Sequence, residues 1–227
     1  MKLLINTFFV LLLLSFNPVK SQVKFSLATD ISLLRNFEKD QKFTVFGQSI
    51  YPQWHLDRKN SFYAWLDYHT NGKYRTPLTA TAKSPSTQPQ VISFTNNSEM
   101  RLRQVSLGIK RFIIGGFDDL EGLNFYGTGG FGLVFGRLTN TFSPGIDTSL
   151  YSIQNNIASG TEKFKRLTLD VSGGFEFPIS YEIYIYSEVR VNFPTSNYPD
   201  NYFFKNAKAP LFGSINIGMR VSFNADP

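Results

Sequence analysis

Between Leu211 and Phe223 the chain alternates two kinds of side chain without a break. Leu211, Gly213, Ile215, Ile217, Met219, Val221 and Phe223 fall on one parity, and Phe212, Ser214, Asn216, Gly218, Arg220 and Ser222 on the other. Successive side chains of a strand point to opposite faces, so this segment is a ribbon with one oily side and one wet side. Such a ribbon must cover its oily side and pair both of its edges. The remaining sequence decides how.

The same alternation recurs upstream. Val23 to Leu33 sets Val23, Phe25, Leu27, Ile31 and Leu33 against Lys24, Ser26, Ala28, Asp30 and Ser32. Phe43 to Leu56 is a poorly patterned second strand; Pro52 removes a ladder donor, which predicts a bulge or a shortened strand and leaves its faces undecided. Phe62 to Thr70 alternates Phe62, Ala64, Leu66 and Tyr68 with Tyr63, Trp65, Asp67 and His69. Further strands run through Val105, Leu107, Ile109 and Ile113, then through Leu123, Phe125, Phe131, Leu133 and Phe135. Two more set Leu167, Leu169, Val171, Phe175 and Phe177 against Arg166, Thr168, Asp170, Ser172 and Glu176, and Ile183, Ile185, Val189, Val191 and Phe193 against Tyr184, Tyr186, Glu188, Arg190 and Asn192. The stretches Arg35–Lys42, Asn71–Ser98, Leu138–Lys163 and Pro194–Pro210 read as longer loops, and Asp57–Asn60, Gly115–Gly122 and Pro178–Tyr181 as short turns.

That makes eight strands joined alternately by long and short connections. A water-soluble barrel would turn its apolar parity inward, yet Asp30, Asp67, Lys110, Asp170, Glu176, Glu188, Arg190 and Arg220 all share the minority parity. The oily faces therefore point outward to lipid. In hydrocarbon every unpaired backbone group costs several kcal/mol, so the sheet must close on itself. The expected fold is all-β, an eight-stranded antiparallel transmembrane β-barrel of outer-membrane type. Its short turns and both termini lie in the periplasm, and its four long loops lie outside. Phe25, Phe125, Phe177 and Phe223 suit the periplasmic aromatic girdle, and Tyr68, Phe135 and Phe193 the outer one.

Compartment and composition agree with this. Lys2, the apolar run Leu3 to Phe16 and Val19-Lys20-Ser21 read as a secretory signal peptide over residues 1–21, leaving residues 22–227 as the barrel domain. The apolar run is shorter than the roughly 20 residues of a spanning helix. The absence of cysteine excludes disulfides, thiolate metal sites and thiol catalysis. Losing Lys2 and Lys20 lowers the net charge of +6 by two, a mild basicity that points to no nucleic-acid partner.

Asn216-Ile217-Gly218-Met219-Arg220-Val221-Ser222-Phe223 resembles the C-terminal assembly signal of outer-membrane barrels, carried by Asn216, Gly218, Val221 and Phe223. The chain as a whole resembles the small outer-membrane β-barrel proteins common in Bacteroidetes, among them PorT-like members linked to protein secretion. The resemblance implies outer-membrane localisation, recognition by the barrel-assembly machinery, and a surface or secretion-system protein as partner. One departure is the tail Asn224–Pro227 beyond the terminal aromatic.

Eight strands leave an interior wide enough only for side chains or one small ligand. The inward set mixes Asp67, Asp170, Glu176 and Glu188 with Lys110, Arg166, Arg190 and Arg220, so a closed polar network is expected rather than a pore, with a narrow ion or solute channel as the alternative. The strongest catalytic constellation is Asp67 with His69, where a carboxylate orients an imidazole; it resembles one half of the omptin protease site and defines the alternative of a small lipid A or peptide hydrolase. His55 stands alone near a periplasmic turn and reads as an interfacial residue, and two separate histidines make no metal site. Gly127-Thr128-Gly129-Gly130-Phe131-Gly132 spells a dinucleotide-binding string, but it lies inside a strand where glycine permits bending or close packing. No cofactor is expected. Arg101 and Arg103 share the outward parity of Val105 just beyond the apolar band, where they could meet lipopolysaccharide phosphates.

Overall fold

A computed structural model describes residues 24–38, 41–153, 157–195 and 211–223. The expected signal peptide, the start of the first strand at Val23, most of the Pro194–Pro210 connection and the tail Asn224–Pro227 lie outside the described residues.

The strands are β1 (Lys24–Asn36), β2 (Phe43–His55), β3 (Asn60–His69), β4 (Gly72–Ala82), β5 (Val91–Ile114), β6 (Asn124–Ser143), β7 (Tyr151–Ile153), β8 (Gly160–Pro178), β9 (Ile183–Pro194) and β10 (Phe212–Phe223). They form one antiparallel sheet in the order β3-β2-β1-β10-β9-β8-β6-β5, and β3 pairs with β5 to close it. The first and last described strands, β1 and β10, meet from Phe25↔Phe223 to Asn36↔Phe212. The result is a closed eight-stranded barrel in which β4 and β7 are additions beyond the wall. No described helix is long and apolar enough to cross a membrane, a criterion that does not bear on a β-barrel.

The wall turns its apolar parity outward. Ile31 is 69% exposed, Leu107 64%, Phe131 61% and Ile217 61%, while the charged parity between them is buried. Each strand contributes about the 9–11 residues that a tilted strand needs to cross hydrocarbon. Aromatic side chains gather at the end holding the termini, where Phe25 packs against both Trp54 and Phe223 and Phe125 against Phe175.

That end also holds the short turns. At the first, Asp57 accepts hydrogen bonds from the Asn60 side chain and from the Lys59 and Asn60 amides, which together hold its carboxyl below the usual carboxylate range. Pro52 causes neither a bulge nor a shortened strand. The β1–β2 register runs unbroken through Leu27↔Pro52, and β2 keeps its full length. Its outward set is Phe46, Ile50 and Trp54, which sends Val45, Ser49, Tyr51, Gln53 and His55 inward.

The opposite end departs most from expectation. Asn71–Ser98 is not a loop: β4 continues the line of β3 along β5, pairing from Gly72↔Met100 to Thr81↔Val91. Leu138–Lys163 is likewise not a plain loop, since β6 runs on to Ser143, β7 pairs with β4, and β8 begins at Gly160. Beyond the lipid a strand has no need of an oily outer face, so Thr, Asn and Ser occupy both parities and the period of two fades. The backbone ladder holds the extension, together with a core of Leu78, Ala80, Phe94, Tyr151, Ile153 and Ile157. Phe94 meets Phe142 edge-on at 5.0 Å.

Candidate functional site: a sealed lumen and a cationic rim

The lumen is filled in layers. At the base, Glu176 accepts from Lys110 Nζ at 2.9 Å and from Arg220 Nη2 and Nε at 2.5 and 3.2 Å. Arg220 also donates to Ser26 Oγ at 2.9 Å and to the Phe117 carbonyl at 2.7 Å, and its guanidinium lies 3.9 Å from the Tyr184 ring centre. Lys110 sits 3.8 Å over the Tyr126 ring. Phe117 belongs to the β5–β6 turn but folds into the barrel, where it stacks on His55 at 4.0 Å and closes the floor. His55 is therefore a lumen residue, not an interfacial one, with its ring nitrogens 2.6 Å from Ser26 Oγ and 2.7 Å from Ser61 Oγ. The undecided face of β2 concealed this.

At mid-height Arg190 donates to Glu188 through Nε and Nη2 at 2.9 and 2.5 Å and lies 3.7 Å over Trp65. Tyr51 and Tyr63 meet each other edge to face at 5.0 Å, their ring centres 5.6 and 5.9 Å from the Arg190 guanidinium. The Tyr63 ring has room because Gly108 and Gly130 face each other in the β5–β6 ladder; a Cβ at either would stand 2.6–2.8 Å from the Tyr63 hydroxyl. The literal dinucleotide string thus lies in β6, with Gly130 serving close packing.

Above this, Asp170 is satisfied by neutral donors alone: Gln104 and Ser106 on one oxygen at 2.7 and 2.5 Å, Thr168 and Asn192 on the other at 2.8 and 2.7 Å. Beside it His69 Nδ1 lies 2.9 Å from Asp67 Oδ2, and His69 Nε2 lies 3.2 Å from Ser32 Oγ. Ser32, Gly47 and His69 share one rung across β1, β2 and β3, and the bare Gly47 lets the imidazole reach over to the serine. This is the connectivity of a Ser-His-Asp triad. Its serine is only 1% exposed, however, and the next rung outward is Leu34↔Val45. Those two join Phe43, Met100, Leu102, Val134, Leu138, Phe164 and Phe212 in an apolar plug across the far end of the lumen. Among the described residues that plug stands between Ser32 and the far opening of the lumen. Among the described residues no three His, Asp or Glu side chains converge as metal ligands.

On β10, Asn216 and Gly218 face the lumen, while Val221 and Phe223 face outward and Phe223 stacks on Phe25. Arg101 and Arg103 lie on the outer face of β5 at the plugged end, and Arg103 sits 5.3 Å over the Tyr68 ring. The ladder places further cations beside them: Arg101↔Arg137 and Arg137↔Lys163 on one rung, Arg103↔Phe135 and Phe135↔Lys165 on the next.

No family model matches the chain, and no curated protein matches it. Solved structures do. Neisserial surface protein A aligns over 88% of this chain and 97% of its own at 12% identity, with a TM-score of 0.56. The fold is that of a small outer-membrane barrel. Ail, the attachment invasion locus protein of Yersinia pestis, aligns over 88% and 99% at 12% identity with a TM-score of 0.48. The outer membrane protein OprG of Pseudomonas aeruginosa aligns over 89% and 97% at 10% identity with 0.47.

Sequence reasoning missed Ser32, Phe117, Arg137, Lys163 and Lys165. For the three cations a signal existed: Arg137 shares the outward parity of Phe135, and Lys163 and Lys165 share that of Leu167. Reading Leu138–Lys163 as a loop hid Lys163 and left Arg137 and Lys165 at its two edges. Ser32 and Phe117 carry no such signal, because one depends on register across two neighbouring strands and the other on the path of a turn.

Proposed function

We infer that this chain is a non-enzymatic outer-membrane barrel whose lumen is structural and whose work is done by the sheet it raises above the membrane, as a structural or interaction protein at the cell surface. The observation that carries the reading is the ordered extension of β4–β8. Its strands outrun the lipid band and are fixed by their own apolar core, whereas a barrel serving only as a wall needs short connections there. The short turns and termini face the periplasm in this reading, and the C-terminal residues Asn216, Gly218, Val221 and Phe223 engage the barrel-assembly machinery during biogenesis. The likeness to PorT-like barrels extends the proposal to support of a secretion assembly through the same raised sheet.

The test is a variant in which residues 76–95 are replaced by a short Gly-Ser turn. It should still fold, shown by heat-modifiable migration on gels, while losing the crosslinks that the intact barrel forms with envelope proteins in living cells. Unchanged crosslinks in a folded variant would refute the surface role.

A second reading, a hydrolase, is favoured by Ser32, His69 and Asp67 standing in triad order. Ser32→Ala separates the two. Hydrolysis of lipid A acyl esters or peptides, or labelling by a fluorophosphonate, that disappears in this variant would establish the second and overturn the first.

A further inference from the structure

The cations at the plugged end stand in an arrangement that a free protein would avoid. Like charges directly opposite one another in a ladder are destabilising. Here Arg101, Arg137 and Lys163 occupy one rung of three adjacent strands, and Arg103 and Lys165 flank Phe135 on the rung below. Neighbouring strands are about 4.8 Å apart and successive same-face residues about 6.6 Å, so five cations crowd a patch roughly 10 by 7 Å. Arg137, Lys163 and Lys165 are exposed on the outer surface. Among the described residues none of the five pairs with a carboxylate. The nearest acid along β5, Glu99, accepts a hydrogen bond from Asn71 Nδ2, and Asn71 Oδ1 in turn accepts from Arg101 Nε at 2.7 Å. Aromatic rings steady the lower pair, with Arg103 over Tyr68 at 5.3 Å and Lys165 over Phe135 at 5.9 Å.

Besides a depression of about 210 Å³ that Arg101 and Arg137 share with Glu99 and Asn71, two more meet at this patch. The upper, about 250 Å³, is lined by Arg101, Arg103, Phe135, Gly136, Arg137 and Lys163. The lower, about 630 Å³, shares Arg103 and Phe135 and runs down the lipid-facing wall between Ile50, Leu66, Tyr68 and Val105. A charged seat thus opens directly onto an apolar groove at membrane depth. Guanidinium groups match phosphate oxygens with paired hydrogen bonds, and a groove for hydrocarbon below them is of no use to a soluble anion.

We propose that Arg101, Arg103, Arg137, Lys163 and Lys165 bind the phosphate groups of a bis-phosphorylated glycolipid of the outer leaflet, with an acyl chain laid in the groove beneath. This rests on the membrane orientation given under Proposed function and deepens it by naming a lipid partner. The bound phosphates neutralise the opposed cations, so the lipid stabilises the β5–β6–β8 wall where it leaves the bilayer.

The test uses the full barrel refolded into phosphatidylcholine vesicles with and without a minor fraction of bis-phosphorylated lipid A. After re-extraction in mild detergent, mass spectrometry counts lipid A retained per barrel. The intact protein should retain it, and R101Q/R137Q/K163Q should retain it roughly tenfold less or worse, as loss of several charge-assisted contacts requires. In phosphatidylcholine alone the triple variant should unfold at the same or a higher urea concentration, because its charge repulsion is gone. Monophosphorylated lipid A should be held more weakly. Equal retention by intact and triple-variant barrels overturns the proposal, as does binding of inorganic pyrophosphate to the lipid-free barrel as tightly as lipid A. A barrel that shows no heat-modifiable band in any vesicle refutes the membrane reading itself, and this site with it; a folded barrel that holds no lipid A refutes the site alone.

Discussion

Glu176 is the most informative single position for the lumen. It is fully buried and, among the described residues, is the one carboxylate bonded to two cations there, Lys110 and Arg220, through three charge-assisted hydrogen bonds. Replacing it with Gln keeps shape and one acceptor but strands two buried cations. Removing one partner of a buried ion pair costs about 3–5 kcal/mol, and the retained amide places Glu176→Gln near about 3 kcal/mol. Lys110→Met removes a cation while Arg220 still satisfies Glu176, so it should cost less, about 1–2 kcal/mol. The double variant K110M/E176Q restores the local charge balance of one excess cation, and its cost should fall below the sum of the singles by about 1–3 kcal/mol.

Reversible urea unfolding in phosphatidylcholine vesicles measures all three. The chain's two tryptophans report separate surfaces: Trp54 faces lipid at 40% exposed, and Trp65 is buried in the lumen under Arg190. Emission from Trp65 should change first in the Glu176 variants, while Trp54 continues to report insertion. A Glu176→Gln cost below about 1 kcal/mol, or strict additivity of the double variant, would show that water rather than protein solvates these ions and that the lumen is open.

Three further outcomes follow from the same structure. Leu107→Arg, on the outer face of β5, should cost about 2–4 kcal/mol in vesicles, as charge on a lipid face does; a negligible effect would mean that water bathes this wall. Gly47→Val places carbon against His69 and Ser32, whose atoms lie within 2.4–2.8 Å of the added Cβ, and overpacking of about 1–3 kcal/mol should appear in urea unfolding; a neutral result would dismiss the Ser32–Gly47–His69 rung. In planar bilayers the purified barrel should show no steady conductance because Phe117 floors the lumen and the Leu34–Phe212 cluster caps it, and a stable ohmic channel would contradict both closures.

The barrel was legible in the sequence wherever lipid imposes a rule. From Leu167 to Phe177, and from Ile215 to Phe223, each outward position must be apolar and each inward one must tolerate polar company, so parity alone sets the faces. The rule fails in three kinds of place. In β2, Pro52 and Gln48 dilute the outward set, so parity alone does not turn His55 into the lumen. Beyond the bilayer, Thr95-Asn96-Asn97-Ser98 forms strand through its ladder with β4 and β6 while looking like loop, because water accepts either face. Contacts that depend on register, such as Ser32 with His69 or Arg101 with Arg137 and Lys163, are set by how strands slide past one another, and single-strand periodicity contains no such information.

The distribution of charge then has a single physical logic. Between wall and lipid there is no hydrophobic driving force, so the stiffness of this barrel has to come from its backbone ladder and from what fills the lumen. Filling it with ions costs desolvation, but a fully paired network such as Lys110–Glu176–Arg220 also forbids alternatives. A slip of one residue in β5, β8 or β10 would turn its charge into the lipid. The apolar plug at the far end keeps water from competing for those bonds. Register in β5, β6 and β8 is therefore decided inside the lumen, and the outer parity of the same strands inherits it. That inheritance aligns Arg101, Arg137 and Lys163 on one rung, so altering the Asp170 or Glu176 clusters enough to shift a strand would scatter the external cations as well.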